Sequence, residues 1–507
     1  MHSENVLESN QRLSTSLIWN LQCKAYCDFG PEAWSQKGVP SYVTSAPYTA
    51  RCYAEMVVAY LRDCLKPNAV TPIDTSEPFY IFDLGAGTGR FGYLFIKSLK
   101  ELILPLKEIK FCYVMTDIAE KNISYLQQHS YLQPFVQEGI LDFAFFRHDQ
   151  KEPLKCIHSG EVLNSTHNPL ILIANYFFDT IPQDLFRANN NTIEEGKITL
   201  SVPTEAQHLK SDNPMIIPHL SYRYTYAPLE GAERYISQFP EMESLFQFYA
   251  QNFNNTPFLV PTGAFETINY FSDVSKNRLL LLAGDQGVSS FEQVATAGEP
   301  KISKHGTFSV PVNYHALVHF FREKKGMGWF TAMPDTNFVV TACVLGGNRK
   351  EFLECDTAFY NVLSYFEPSD YWRLINYTSE WKTPSLECLL LLIKLGNWDP
   401  MVFHEWLPSI QGSLSKLSPE VRHHLKLTIY AVWDHFFPIS KEEGMFIMNL
   451  GVLLYDMQDY TEAMLFFKRA LDITGETPAL MQNMAACEKM LSPQRHKDHK
   501  DKGKRTK

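Results

Sequence analysis

Apolar residues are arranged in two ways along this chain, and the change comes near residue 350. Before it, short unbroken apolar runs recur, at 79–82, 111–115, 170–174, 279–283 and 338–345. Runs of that length, bounded by glycine or acidic residues, read as strands buried on both faces. Helical spacing lies between them. After residue 90, Leu94, Phe95, Ile96 and Leu99 share one face, with Arg90, Lys97 and Lys100 outside it. Residues 261–271 and 314–322 repeat the pattern. Strand and helix alternate, which predicts a doubly wound α/β sheet. Residues 143–149 read as a third strand ending in Asp149. The stretch 192–226 alternates in places, as an inserted hairpin would, and 240–253 is helical. Residues 1–65 read as mostly helical, with prolines and glycines breaking the pattern around 30–47. Beyond 351 the strand signal vanishes, and 385–395 and 421–437 are helical.

The first buried run leads into Asp83-Leu84-Gly85-Ala86-Gly87-Thr88-Gly89. Glycine at every second position, between a strand and a helix, makes a tight turn that a ligand can approach closely. Such a turn after a first strand suits a nucleotide-type ligand. The dinucleotide pattern is Gly-x-Gly-x-x-Gly, with a pyrophosphate on the helix end. Here the spacing is tighter, and the Asp83 carboxylate would repel a pyrophosphate but suit a cationic or hydroxyl-bearing ligand. The second run ends in Asp117, where a ribose diol is held in such sheets; Glu120 is its substitute, and an N-cap role is compatible with either. Asp149 suits contacts to an adenine ring. The fourth run ends in Asn175-Tyr176-Phe177-Phe178-Asp179, which places Asn175, Tyr176 and Asp179 at the carboxyl edge where reactions occur. The N-terminal segment, 1–65, is read either as a lid over this site or as a helical cover for one sheet edge.

Composition narrows the rest. At 507 residues the chain suggests two or three domains, and 45% hydrophobic with 20% charged residues is ordinary for globular proteins. A net charge of −10 gives no reason to expect nucleic acid as the main partner. No apolar run is long enough to span a bilayer, and the first thirty residues carry Glu4, Glu8, Arg12, Lys24 and Asp28 without a signal-peptide core. The ten cysteines have no zinc or iron–sulfur spacing, Cys23 and Cys27 included, and read as reduced thiols of a cytoplasmic protein. His404-Glu405 opens like a metalloprotease motif, but Pro408 stands where its second histidine is required. No metal site is expected.

Residues 83–89 resemble the first motif of class I S-adenosylmethionine methyltransferases. Residues 175–182, Asn-Tyr-Phe-Phe-Asp-Thr-Ile-Pro, resemble the Asn-Glu-Phe-Phe-Asp-x-Leu-Pro signature of the MidA family, the group containing the mitochondrial complex I assembly methyltransferase. Residues 42–47, the Gly284-Asp285-Gln286-Gly287 turn and His305-Gly306-Thr307 are similar to further elements of that family, so the resemblance spans about 25–345. It implies S-adenosyl-L-methionine as cofactor and methylation of a protein arginine. The family's glutamate after the asparagine is Tyr176 here, and Asp179 or Asp184 is the carboxylate left to replace it. Gly451, Ala463, Phe467 and Ala470 fall at the offsets of a tetratricopeptide repeat, with Pro478 late.

The sequence therefore predicts an N-terminal helical or lid segment (1–65), a Rossmann-like methyltransferase domain (66–348), a helical region (349–440), a tetratricopeptide-like repeat (441–491) and a disordered basic tail (492–507). Asp83, Gly85, Ala86, Gly87, Gly89, Asp117 and Asp149 would hold the cofactor. Asn175, Tyr176 and Asp179 would face the acceptor, and the repeat would choose a protein partner. The alternatives are a non-catalytic adaptor on the same fold and a small-molecule methyltransferase.

Overall fold

The apolar runs become one twisted sheet in the computed structural model, which describes residues 4–106, 109–206, 208–331, 338–382 and 384–492. The order across it is Met327–Phe330, Phe338–Leu345, Leu279–Val288, Leu170–Asn175, Phe79–Leu84, Phe111–Asp117, Leu141–Phe145. Five neighbouring strands run parallel, from Leu279–Val288 to Leu141–Phe145. Phe338–Leu345 is antiparallel to Leu279–Val288 and to Met327–Phe330. Helices cover both faces, so all residues of Phe79–Leu84 are buried, which is why these strands read as continuous apolar runs rather than alternating ones. Arg90–Ile103, Thr262–Ser275 and Tyr314–Glu323 are the crossover helices that the spacing predicts.

Two boundaries differ from the sequence reading. The third strand is Leu141–Phe145, so Asp149 stands in the turn beyond it rather than at its tip. Glu4–Arg12 is a strand, not a helix, pairing antiparallel with the inserted Thr192–Pro203. Its pattern is locally ambiguous, and a long-range ladder decides it. Thr192–Pro203 also pairs with Ser221–Pro228 and Asp184–Asn189, and the latter with Thr256–Val260, giving a second sheet.

Clustering of contacts divides the chain into two units, 1–45 with 49–372 and 46–48 with 373–507. The second is helical: Leu386–Leu395, Pro400–Glu405, Leu407–Ser413, Pro419–Asp434, Gly444–Asp456, Tyr460–Thr474 and Pro478–Leu491. The basic tail, 493–507, lies outside the described residues. Gly444–Asp456 and Tyr460–Thr474 form a helical hairpin whose crossing needs a glycine. A Cβ on Gly451 would lie 2.6 Å from Phe467 Cε1. Gly451→Val should destabilise this unit by about 1–3 kcal/mol, the ordinary range for overpacking, as read by urea denaturation followed by circular dichroism. No helix among the described residues is long and apolar enough to cross a membrane.

Candidate functional site

From the first strand the chain steps one way to Phe111–Asp117 and Leu141–Phe145. It then returns to place Leu170–Asn175 on the other side. That reversal opens a crevice at the carboxyl ends of the strands. A cavity of about 370 Å³ lies there, lined by the glycine loop, by the ends of four strands and by residues from 14 to 45.

The loop takes its shape from three left-handed glycines, Gly85 (φ 71°), Gly87 (φ 55°) and Gly89 (φ 77°). Ala86 N–H donates to Thr116 C=O at 2.8 Å, tying the loop to the neighbouring strand. Gly85, Ala86 and Gly87 line the cavity, whereas Gly89 does not. A Cβ on Gly89 would lie 2.5 Å from Leu126 Cδ2, so this glycine serves helix packing. Trp34 closes over Gly87, with its ring 2.9 Å from where a Cβ would stand, and stacks on Tyr26 at 5.9 Å between centroids.

Asp83 is buried at the mouth of its strand, and its Oδ2 has no hydrogen-bond partner among the described residues. Burial pushes its carboxyl up to about 7. An orphaned buried carboxylate oxygen beside a glycine cradle fits a ligand with a cationic end. Such a ligand binds the ionised form, so affinity should rise roughly tenfold from pH 6 to pH 8, and Asp83→Asn should remove that slope. Calorimetric titration across this range reads it directly.

Asp117 lines the same cavity. Its Oδ1 accepts from Ala119 N–H at 2.8 Å and its Oδ2 from Asn122 Nδ2 at 2.9 Å. The Gly87 and Ile118 N–H groups also favour its charged form, so the loop and the turn together fix the carboxylate at the cavity wall. Glu120 is exposed and outside the cavity lining. Asp149 lines the cavity and receives a two-pronged bond from Arg147, at 2.9 and 2.7 Å, which holds its carboxyl below the usual range. His148 lies between them, and burial lowers its pKa, which favours the neutral ring.

On the other side of the reversal, Asn175 and Tyr176 line the cavity. Asn175 Oδ1 accepts from Tyr53 O–H at 3.0 Å, while its Nδ2 has no partner among the described residues. A Cβ on Gly284 would reach Tyr53 Oη at 2.9 Å and Asn175 Oδ1 at 3.1 Å, so that position must be glycine for the pair to form. Tyr176 is held at φ 48°, an uncommon conformation for a bulky residue. Its N–H donates to Gly284 C=O at 2.9 Å, and burial raises its phenol, so the ring is neutral.

Asp179 does not join them. It is buried outside the cavity lining, against Asp285. Its backbone N–H donates to Asp285 Oδ2 at 3.2 Å, and burial pushes its carboxyl up to about 7 and that of Asp285 well above the usual range. Asp184 is likewise engaged. It accepts from Ser14 N–H at 3.2 Å and Thr262 O–H at 3.4 Å, with Arg12 Nε at 3.5 Å.

Residues 14–45 make one wall of the cavity, with Trp19, Gln22, Tyr26 and Trp34 among its side chains. They are fastened from behind. Gln22 exchanges hydrogen bonds with the Phe308 backbone, and a Cβ on Gly306 would lie 2.4 Å from Lys37 C=O. Sequence reasoning offered this segment as a lid or an edge cover without singling out any of these side chains; the density of tryptophan and tyrosine between 19 and 53 is the signal for them.

Residues 60–277 match the model of a family described as "Putative S-adenosyl-L-methionine-dependent methyltransferase". No curated protein matches the chain. Among solved structures, a Burkholderia thailandensis protein bound to S-adenosyl-homocysteine is similar at 12% identity and a TM-score of 0.36, covering 65% of this chain and 94% of its own. The magnesium protoporphyrin IX methyltransferase of Synechocystis is similar at 10% identity and a TM-score of 0.27, covering 63% and 97%. Superpositions this loose carry no weight beside the chain's own geometry.

Proposed function

We propose that this chain, whose residues 60–277 match the model of an S-adenosyl-L-methionine-dependent methyltransferase family, transfers the methyl group of that cofactor to a protein side chain. The family resemblance implies arginine as that side chain. One observation carries the reading: the glycine loop with Asp83 and Asp117, and the Asn175–Tyr176 turn on the next strand, open into one cavity. When bound, S-adenosylmethionine would supply an electrophilic methyl on a sulfonium. Asp83 would take its cationic end, Asp117 its ribose diol and Asp149 its adenine side.

The remaining residues orient and exclude. Asn175, fixed by Tyr53, would hold the acceptor. Trp34 and Tyr26 would keep water from the loop, since a methyl transfer of this kind gains chiefly from alignment in a dry site. The helical hairpin around Gly451 would bring the protein partner, and the ten scattered cysteines suit the cytoplasm.

Titration calorimetry with S-adenosylmethionine tests the donor half. Binding is expected, with Asp117→Ala weakening it at least tenfold, about 1.4 kcal/mol. Absence of binding would sink the reading. Labelled methyl from the same donor, offered to a cell lysate, tests the acceptor half: label in protein bands supports it, and label confined to the small-molecule fraction counts against it.

A further inference from the structure

Resting on the methyltransferase reading, we infer that the acceptor is an uncharged amide or hydroxyl side chain rather than a guanidinium. A guanidinium taken out of water needs a carboxylate facing it, best as a two-pronged pair. Among the described residues that line the cavity, the carboxylates are Asp83, Asp117 and Asp149. Asp83 and Asp117 stand at the ends of Phe79–Leu84 and Phe111–Asp117, and Asp149 in the turn beyond Leu141–Phe145, all on the glycine-loop side of the reversal. Asp149 is already forked by Arg147.

Among the described residues, none that lines the acceptor side is a carboxylate. Tyr176 occupies the place from which a carboxylate would reach in. The two acids nearest in the chain are both used elsewhere: Asp179 packs on Asp285, and Asp184 is bound by Ser14, Thr262 and Arg12. Glu8, the acid before the 14–16 wall, is bound to the Ser16 hydroxyl and to Leu17 N–H. A guanidinium placed beside Asn175 would therefore find no carboxylate among the described lining residues to pair with, which disfavours its burial.

What the acceptor side does offer is neutral hydrogen bonding. Asn20, Asn175, Tyr176 and Thr180 line the cavity, whereas Ser16 and Gln22 are engaged with Glu8 and the Phe308 backbone. With Asn175 Oδ1 already accepting from Tyr53 O–H, the unpartnered Nδ2 is left as a donor. A donor in that place matches a carbonyl or hydroxyl oxygen and repels a guanidinium, which has only donors to give. In the transfer, the acceptor's nitrogen or oxygen lone pair forms the new bond to the methyl carbon. The carbon–sulfur bond of the donor breaks with its electrons left on sulfur as a neutral thioether, and the acceptor's proton passes to solvent water.

The test uses the full chain and degenerate peptides with one fixed central residue, in three sets: Arg; Gln or Asn; Ser, Thr or Tyr. Each set is incubated with methyl-labelled S-adenosylmethionine. Label is expected in a neutral set and at least tenfold less in the arginine set, and Tyr176→Glu should raise arginine labelling at least tenfold. Label in the arginine set with the unaltered protein overturns the inference. So does absence of label from both neutral sets while S-adenosylhomocysteine binding, measured alongside by calorimetry, is intact. If S-adenosylhomocysteine does not bind at all, the methyltransferase reading itself falls.

Discussion

Gly87→Val should abolish measurable binding of S-adenosylmethionine, a loss of at least a hundredfold, or about 2.7 kcal/mol. Two independent penalties act at this one position. The backbone there has φ 55°, which a β-branched residue adopts only with strain of about 1–2 kcal/mol. The new Cβ would also meet the Trp34 ring at 2.9 Å, with its methyl groups still to be placed. Relief is possible only by moving Trp34 out of the cavity wall or by turning the loop, and either change distorts the surface that would hold the cofactor. Gly139 makes the matching control. It has φ 74° but nothing within 4 Å of a Cβ, and it is not among the residues that line the cavity. Gly139→Ala should cost some stability and leave affinity within a few-fold. Calorimetry on the two variants separates backbone strain in general from strain at the site. Equal affinity of Gly87→Val and the unaltered protein would show that the loop does not hold the cofactor.

The contrast between those glycines shows what the sequence could and could not reveal. Strands buried on both faces are legible because burial forces a continuous apolar run, as in 79–84 and 170–174. The glycine loop is legible because a turn of that kind leaves few residue choices. The helical hairpin is legible because one small residue must meet one aromatic, Gly451 on Phe467. Each of these is a local rule. Glu4–Arg12 obeys no such rule, since its partner strand lies almost two hundred residues away and the ladder alone decides its state. The fate of Asp179 is hidden for the same reason. From its motif it belongs beside Asn175 and Tyr176, but a single turn from Phe178 to Thr180 rotates it away from the cavity and onto Asp285. Asp184 reads as a free acid at a strand start until Ser14 and Arg12 arrive from the far end of the chain. Around the glycine loop the motif itself places Asp83, Gly85, Ala86, Gly87 and Asp117 along the cavity, with Gly89 set aside by packing, whereas the surroundings of Asn175 depend on contacts that only the fold creates. Trp34 and Tyr26 sit between these cases: their positions were visible, their closure over Gly87 was not.

Asp285→Ala should destabilise this unit by about 2–4 kcal/mol, with a separate signature in pH. The Asp285 carboxylate accepts from Asp179 N–H at 3.2 Å and from Gln286 N–H at 3.2 Å, and all of it is buried. Truncation leaves two buried N–H groups without acceptors and a small void, which together account for that loss. It also frees the turn that carries Asn175 and Tyr176. That turn is held through Asp179 C=O, which accepts from Val310 N–H at 3.0 Å, and through Gln183, which donates to Val310 C=O at 2.9 Å. Asp285→Asn is the informative partner. Both carboxyls of the native pair are raised, Asp179 to about 7 and Asp285 well above the ordinary range, because burial disfavours charge on each and the neighbouring Asp179 disfavours it further on Asp285. Folding therefore takes up protons. The stability this contributes is fully present below the ordinary carboxyl range and declines as pH rises through about 7. An amide at 285 needs no proton to sit beside a carboxylate. Asp285→Asn should thus flatten the fall in melting temperature between pH 6 and pH 9, while Asp285→Ala should lower the whole curve. S-Adenosylhomocysteine affinity at pH 7 should stay within a few-fold in the asparagine variant, because neither acid lines the cavity. Thermal denaturation of the three proteins at pH 6, 7.5 and 9 decides it. An unchanged pH slope in Asp285→Asn would mean that the two carboxylates do not share a proton and that the acceptor turn is held by its backbone bonds alone.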